Sequence, residues 1–395
     1  MKTLQGRDDL TYALWGVPYG TLLAYATVFL QSQGLNSAQI GIVTGGGALA
    51  TVFLSPLTSA LAVRRERLGE RGVMMLLLAL PAAAYALLAV LRLPAALIMP
   101  VFILMIAQTC ATVPLLSSLN MRYLQDGRFV NFGLARGFGS LGAALSSLAM
   151  GPLLAWTGGN AAAWVFSAFA ILTVLSLASM PMPKSAPQLR TRHSCSVFTV
   201  IREQRNYFAI LIGFCLLFAA TAGLKTYLID IVRRLGGGTT FLSIALFCMP
   251  VSEVPALAVV NRLRRRFGER RLLILAAVCY ALKNLLLCFA WALPVILCGM
   301  LLSGLSFGLF TAVSVYYAAE ILPPEQQTMG QTLSTVMTIG IGNTIGSVVG
   351  GYLQDTAGMQ GMLRFYEILS LGGVVIAVLV LVCARKTQDT WKEID

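Results

Sequence analysis

The sequence predicts an all-α membrane protein, with twelve transmembrane helices in two pseudo-symmetric six-helix bundles. Three observations predict it. Hydrophobic residues make up 57% of the 395-residue chain and charged residues only 11%, whereas a soluble domain carries about 25% charged residues. With a mean hydropathy of +0.78, the surface itself must be apolar and its solvent must be lipid. The apolar residues fall in runs of about 20, long enough to cross a hydrocarbon core of roughly 30 Å as helices that satisfy their own backbone groups. Finally, blocks of sequence recur about 200 residues apart, the mark of two halves of like topology.

The runs place spans at 10–31, 39–62, 72–91, 95–119, 132–156 and 161–180, then at 207–230, 239–261, 272–291, 294–318, 330–353 and 363–384. The polar segment Met1–Asp9 leads into a span-length run without a small-residue cleavage site, so no cleavable signal is expected. A polar stretch from Pro181 to Asn206 divides the sets. The expected domains are an N-terminal bundle over 1–180, a linker over 181–206 and a C-terminal bundle with a short tail over 207–395.

Orientation follows from Lys and Arg, which concentrate on the cytoplasmic side. With both termini inside, the inner segments collect Lys2, Arg7, Arg64, Arg65, Arg67, Arg71, Arg122, Arg128, the central Lys184, Arg190, Arg192, Arg202 and Arg205, the cluster from Arg262 to Arg271, and Arg385, Lys386 and Lys392. The outer loops hold only Arg92, Arg233, Arg234 and Arg364. The expected location is the plasma or bacterial inner membrane, and the net charge of +13 belongs to these loops, beside anionic headgroups rather than nucleic acid. The eight cysteines are scattered without a C-x-x-C pair and the lone His193 lies in a basic loop. No metal site, disulfide framework or cofactor is expected. There is no phosphate-binding loop signature either, so transport would draw on an ion or solute gradient.

The repeat is specific. RRERLGER, Arg64 to Arg71, follows the second span, and LRRRFGER, Leu263 to Arg270, follows the eighth, with Pro56 landing on Pro255. Gly142, Ser147, Gly151 and Gly158 land on Gly342, Ser347, Gly351 and Gly358. Parallel halves of this kind build transporters with the solute site at their interface.

These features resemble the major facilitator superfamily over essentially the whole chain. Its loop between spans two and three reads G-x-x-x-D-R-x-G-R-R. Here the region is SALAVRRERLGER, with Ser59 and Val63 replacing the glycine and aspartate while the basic cluster and Gly69 survive. The resemblance implies conformational loops carrying Arg64, Arg65, Gly69 and Arg71 in the first half and Arg264, Gly268 and Arg270 in the second. The fifth span, NFGLARGFGSLGAALSS, is similar to that of the lactose permease, oligosaccharide and nucleoside proton symporter branch, matching at Phe132, Gly133, Ala135, Arg136 and Gly139. It implies Arg136 as a solute-binding arginine, and Lys283 falls at a functional basic position of the ninth span. The branch's acidic fourth-span position falls near Ser118, and its tenth-span histidine and glutamate fall near Leu301 and Gly304.

An ionisable group deep in a bilayer costs at least about 2.5–3.5 kcal/mol on insertion scales, which makes it a functional candidate by default. Glu253 lies about 12 Å and Lys283 about 18 Å from the inner end of neighbouring antiparallel spans at 1.5 Å per residue, within reach of each other. They are the candidate proton-coupling groups, the alternative being a static pair between helices. Arg136 presents a planar fork of donors suited to a hydroxylated or anionic solute, against snorkelling to the nearby interface. Lys225, near the outer end of the seventh span, is read as snorkelling. Trp15, Tyr19 and Tyr25 on the first span are candidate platforms for a sugar or nucleoside, or interfacial anchors; Trp15 and Tyr19 share a helix face. Asn343 is a candidate cavity residue among packing glycines.

The combined reading is a secondary active transporter: proton-coupled uptake of a small polar solute such as a sugar, glycoside or nucleoside by alternating access. Its partners would be the solute, protons and the bilayer, with the protein acting as a monomer. Proton-coupled efflux of amphipathic compounds is the alternative, with Gly151-Pro152 as its one sign; a non-transporting sensor is a further one. The spans carry no paired carboxylates, nucleophile motif or metal ligands, so no enzyme is expected.

Overall fold

Helix is the only regular structure among the described residues of the computed structural model, which are 2–64, 69–91, 93–128, 130–183 and 196–392. In chain order the helices are α1 (Lys2–Ser32), α2 (Ser37–Arg64), α3 (Gly69–Val90), α4 (Ala95–Gln125), α5 (Phe132–Thr157), α6 (Ala161–Ser179), α7 (Val197–Glu203), α8 (Arg205–Thr226), α9 (Leu228–Arg234), α10 (Thr239–Phe267), α11 (Glu269–Cys288), α12 (Leu293–Ser303), α13 (Leu309–Ile321), α14 (Pro324–Thr335) and α15 (Asn343–Lys392). Two π-helical turns, Gly304–Gly308 and Val336–Gly342, join α12 to α13 and α14 to α15 without breaking the rod.

Eleven of these continuous helices are long and apolar enough to cross a membrane, the last being the 60-residue run Pro324–Cys383. At 1.5 Å per residue that run is about 90 Å long, far beyond one crossing of a roughly 30 Å core. It bends at Gly358, whose φ of 70° leaves the helical region, and its length is enough for two crossings. Phe53, Leu80, Trp156 and Ile368 each stand more than half exposed. A water-facing protein of this size rarely tolerates so much open apolar surface, whereas lipid solvates it.

Local signals set the boundaries. At the start of α2, Asn36 and Gln39 cap each other reciprocally: Gln39 N–H donates to Asn36 Oδ1 at 2.8 Å and Asn36 N–H to Gln39 Oε1 at 3.1 Å, the two-way pattern of a capping box. Asn131 caps α5 by accepting from the Leu134 N–H at 3.1 Å.

Several helix ends differ from the sequence expectation: α4 runs on to Gln125 and α10 to Phe267. α1 begins at Lys2, so the polar residues up to Asp9 are helical rather than a lead-in. The seventh span is α8, closed at Tyr227 and followed by the separate short α9.

The chain divides into two compact units, Met1–Arg190 with Ile229–Phe247, and Thr191–Leu228 with Cys248–Asp395. In the first, α1 packs on α5 and α6, and α2 and α3 on α4. Its core runs through Trp15, Met74, Leu115 and Tyr123. In the second, α8 packs on α15 and α11 on α13 and α15, around Phe214, Tyr280, Phe310 and Leu381.

The internal repeat is structural. A side chain at Gly142 would strike the Ala13 carbonyl of α1, and one at Gly342 the Cys215 carbonyl of α8. The Tyr25 hydroxyl donates to the Ser147 carbonyl, and the Tyr227 hydroxyl to the Ser347 carbonyl at 2.9 Å. Gly158 and Gly358 both have positive φ, as do Gly69 and Gly268.

Candidate functional site

In the first unit, α1 and α5 form a polar, aromatic face. The small residues Gly16, Gly20, Gly139 and Gly142 bring the two backbones into direct contact, so side chains flanking this seam converge. Trp15 is buried and its Nε1–H donates to Thr112 Oγ1 at 2.8 Å. Its ring lies tilted on Tyr19, 5.0 Å between centroids, and edge-on to Tyr12 at 6.3 Å. Tyr19 is half-buried, so part of this platform is open. Arg136 is exposed on α5 and interacts electrostatically with both Tyr12 and Tyr19. Trp15, Tyr19 and Arg136 therefore share one neighbourhood. Tyr25 does not join it: it is fully buried, its hydroxyl held by α5, and does packing work.

Below this face lies a group that the sequence reading did not single out. Asp8 and Asn120 are both fully buried, and Asn120 Nδ2 donates to Asp8 Oδ2 at 3.0 Å and to the Tyr12 hydroxyl at 3.3 Å. Asp8, Tyr12, Trp15 and Tyr19 are spaced by four, three and four residues, so they line one face of a helix. That spacing was the available signal, masked by reading 1–9 as a polar lead-in.

In the second unit, Lys283 is 3% exposed. Its ammonium stands 5.3 Å from the Tyr280 ring centroid, and its charged neighbour is Lys225. Glu253 is half-buried on α10 and acts electrostatically on Tyr280. Around Glu253 the helices touch: a side chain at Gly304 would strike the backbone of Ser252 and Glu253, and the Gly304 N–H donates to Ser252 Oγ at 3.0 Å. The π-helical turn starts there, and such turns recur at functional sites because they re-aim side chains and free backbone groups. Asn343 is half-buried at the end of the other π-helical turn. Asn284, buried next to Lys283, accepts from Thr221 and donates to the Leu217 carbonyl.

The loop residues act as helix-end clasps. Glu70 is 3% exposed; it pairs with Arg122 and accepts from Ser118 Oγ at 3.2 Å. Arg71 donates to the Met180 carbonyl, and Arg64 ends α2 exposed. In the second unit Arg264 lies over the Tyr316 ring at 3.9 Å and bonds Glu269 at 3.2 Å, while Arg270 acts electrostatically on Tyr317. Glu70 was missed because it looked like one more charge in a loop. Arg65, Arg67, Arg92, Lys184, Arg190, Arg192 and His193 lie outside the described residues. No cluster of metal-ligating side chains occurs among the described residues.

Glycine contacts, tyrosine anchors and positive-φ turns repeated between the two halves of the chain meet a decisive comparison: the profile of the MFS_1-like family matches residues 11–365. The chain belongs to the MFS_1-like family. As a member of this family it is a membrane transporter of small molecules and not an enzyme. The maltose permease of Geobacillus stearothermophilus is 30% identical, over 94% of this chain and 93% of that one. The uncharacterised transporter YwbF of Bacillus subtilis (strain 168) is 23% identical, over 94% and 92%. The crystal structure of the nucleoside transporter NupG superposes with a TM-score of 0.81, over 96% of this chain and 98% of that one. At 17% identity that likeness is one of fold.

Proposed function

We propose that this MFS_1-like transporter takes up a small hydroxylated solute, a sugar, glycoside or nucleoside, by alternating access coupled to protons. The observation that carries the reading is the α1–α5 face, where Trp15 and Tyr19 present tilted rings 5.0 Å apart beside Arg136. Flat apolar ring faces suit the C–H face of a sugar or a base, and a guanidinium supplies paired donors to neighbouring hydroxyls. The substrate named for the maltose permease relative is of the same chemical kind.

On this reading Arg136, Trp15 and Tyr19 contact the solute. Within the second unit Glu253 and Lys283 are the proton-coupling groups, and Asn343 at the end of the second π-helical turn is a further polar candidate. The loops after α2 and α10 and both termini lie in the cytoplasm of a monomer.

Purified protein in liposomes carrying an acid-outside pH gradient tests this. The expected result is accumulation of radiolabelled maltose or of a nucleoside from a small panel, abolished by a protonophore. Extrusion of an amphipathic dye with no sugar or nucleoside uptake would replace this reading with efflux.

A further inference from the structure

We propose that Asp8 is a second proton-exchanging carboxylate, placed in the first unit directly beneath the solute face and held by Asn120. The inference rests on the proton-coupled reading above and deepens it.

The geometry is unusual for a structural aspartate. Its side chain is fully buried, and no basic group pairs with it among the described residues. Oδ2 accepts from Asn120, but Oδ1 has no hydrogen-bond partner, and neither has Asn120 Oδ1. Two orphaned acceptors on two side chains already in contact are costly in the ionised state, since each buried oxygen has given up water without replacement. One proton changes the count. On Asp8 Oδ1 it converts an orphaned acceptor into a donor and removes an unpaired charge from a buried site.

Access is short. Gly6 and Arg7, two residues and one residue earlier, are exposed, and the space beyond Gly6 is open. The group is thus sealed from the side but close to the end of α1. It is also wired to the solute face. Asn120 Nδ2 bridges Asp8 and the Tyr12 hydroxyl, and Tyr12 in turn feels the charges of both Asp8 and Arg136. A solute that engages Arg136 changes the field at Tyr12, and therefore the stability of charge on Asp8.

The surrounding groups leave the proton to Asp8. On α1 they are Asp9, bonded by Gln5 at 2.6 Å, and Tyr12. On α4 Tyr123 is turned to the Pro181 carbonyl, and Arg122 is held by Glu70. Arg7 donates to the Ser179 carbonyl and Arg71 to the Met180 carbonyl. The balance of the step is simple: a proton from water joins the Asp8 carboxylate, and the same O–H bond breaks to return it to water in the other state of the cycle.

The test combines a readout that needs no solute with one that does. Infrared titration of the reconstituted wild-type protein should show a carboxylic C=O band that appears and vanishes with pH. Asp8→Asn should lose the Asp8 component of that band, seen as the wild-type-minus-variant difference, while the Glu253 component stays. In Asn120→Ala the Asp8 component should shift in frequency, because the hydrogen bond to Oδ2 is gone; this variant leaves Asp8 in place and decides the assignment if Asp8→Asn does not fold. With radiolabelled maltose, Asp8→Asn should lose pH-gradient-driven accumulation to the level of protein-free liposomes yet keep counterflow exchange. Carboxylic C=O titration spectra identical in the wild type, Asp8→Asn and Asn120→Ala overturn the proposal. So does undiminished gradient-driven accumulation in Asp8→Asn. If the wild-type protein takes up no maltose, the sugar reading fails and the infrared titration alone decides Asp8.

Discussion

Arg136 is the residue on which the solute reading turns, because its exposed guanidinium stands beside the Tyr12–Trp15–Tyr19 face rather than in a packed core. Arg136→Lys keeps the charge and loses the planar fork, so solute affinity should fall roughly tenfold, about 1.4 kcal/mol, with the melting temperature unchanged. Equal affinity in Arg136→Lys and Arg136→Ala would place the side chain at the lipid interface instead. Lys283 behaves differently. It is buried beside Lys225 with an aromatic ring as a close partner. Replacing a buried charge by an apolar side chain of similar length is commonly neutral or stabilising. Lys283→Met should therefore raise the melting temperature while uptake is lost, a pairing of outcomes that marks a residue kept for function. A lower melting temperature in that variant would show the ammonium to be structural.

At the scale of helices, the glycines separate into those that permit contact and those that do not. A side chain at Gly142 would meet the Ala13 carbonyl, whereas one at Gly372 on α15 would enter open space. Gly142→Ala forces α1 and α5 apart and should cost about 1–3 kcal/mol, the usual range for overpacking. Gly372→Ala should be neutral or stabilising by up to about 1 kcal/mol, because it only improves helix propensity. Thermal melts of the two variants in detergent check this, and equal melts would deny the close α1–α5 seam. The paired tyrosines give a matching test of the repeat. Tyr25→Phe and Tyr227→Phe each remove one hydroxyl-to-carbonyl bond between corresponding helices. Each should cost about 1 kcal/mol, and an effect confined to one half would show that the anchors are not equivalent.

For the whole molecule the charge pattern makes the boldest claim. Single-cysteine variants in the segments 64–71, 181–206 and 262–271 should resist an impermeant thiol reagent in intact cells and react after the membrane is opened. Strong labelling of any of them from outside would reverse the topology proposed from the Lys and Arg distribution. The exposed apolar belt, with residues such as Phe53, Leu80 and Ile368, identifies lipid as the solvent of the intervening helices.

The sequence by itself determined the class of protein, because hydropathy over about 20 residues is a local quantity and a bilayer imposes it on every span alike. It also determined the two-fold repeat, since Gly142, Ser147 and Gly158 and their counterparts Gly342, Ser347 and Gly358 stand at fixed offsets that can be read without coordinates. Arg136, Trp15 and Tyr19 were legible too, as polar or aromatic residues on spans where such groups are rare. Tertiary structure alone decided who meets whom. Glu253 and Lys283 have depths within side-chain reach of each other, but depth says nothing of rotation about the helix axis, and Lys283 lies beside Tyr280 and Lys225. Asp8 looked like part of a polar lead-in until α1 extended to Lys2 and placed it under Asn120, a residue 112 positions away. A buried carboxylate is defined by the atoms that exclude water from it, and those atoms come from helices distant in the chain.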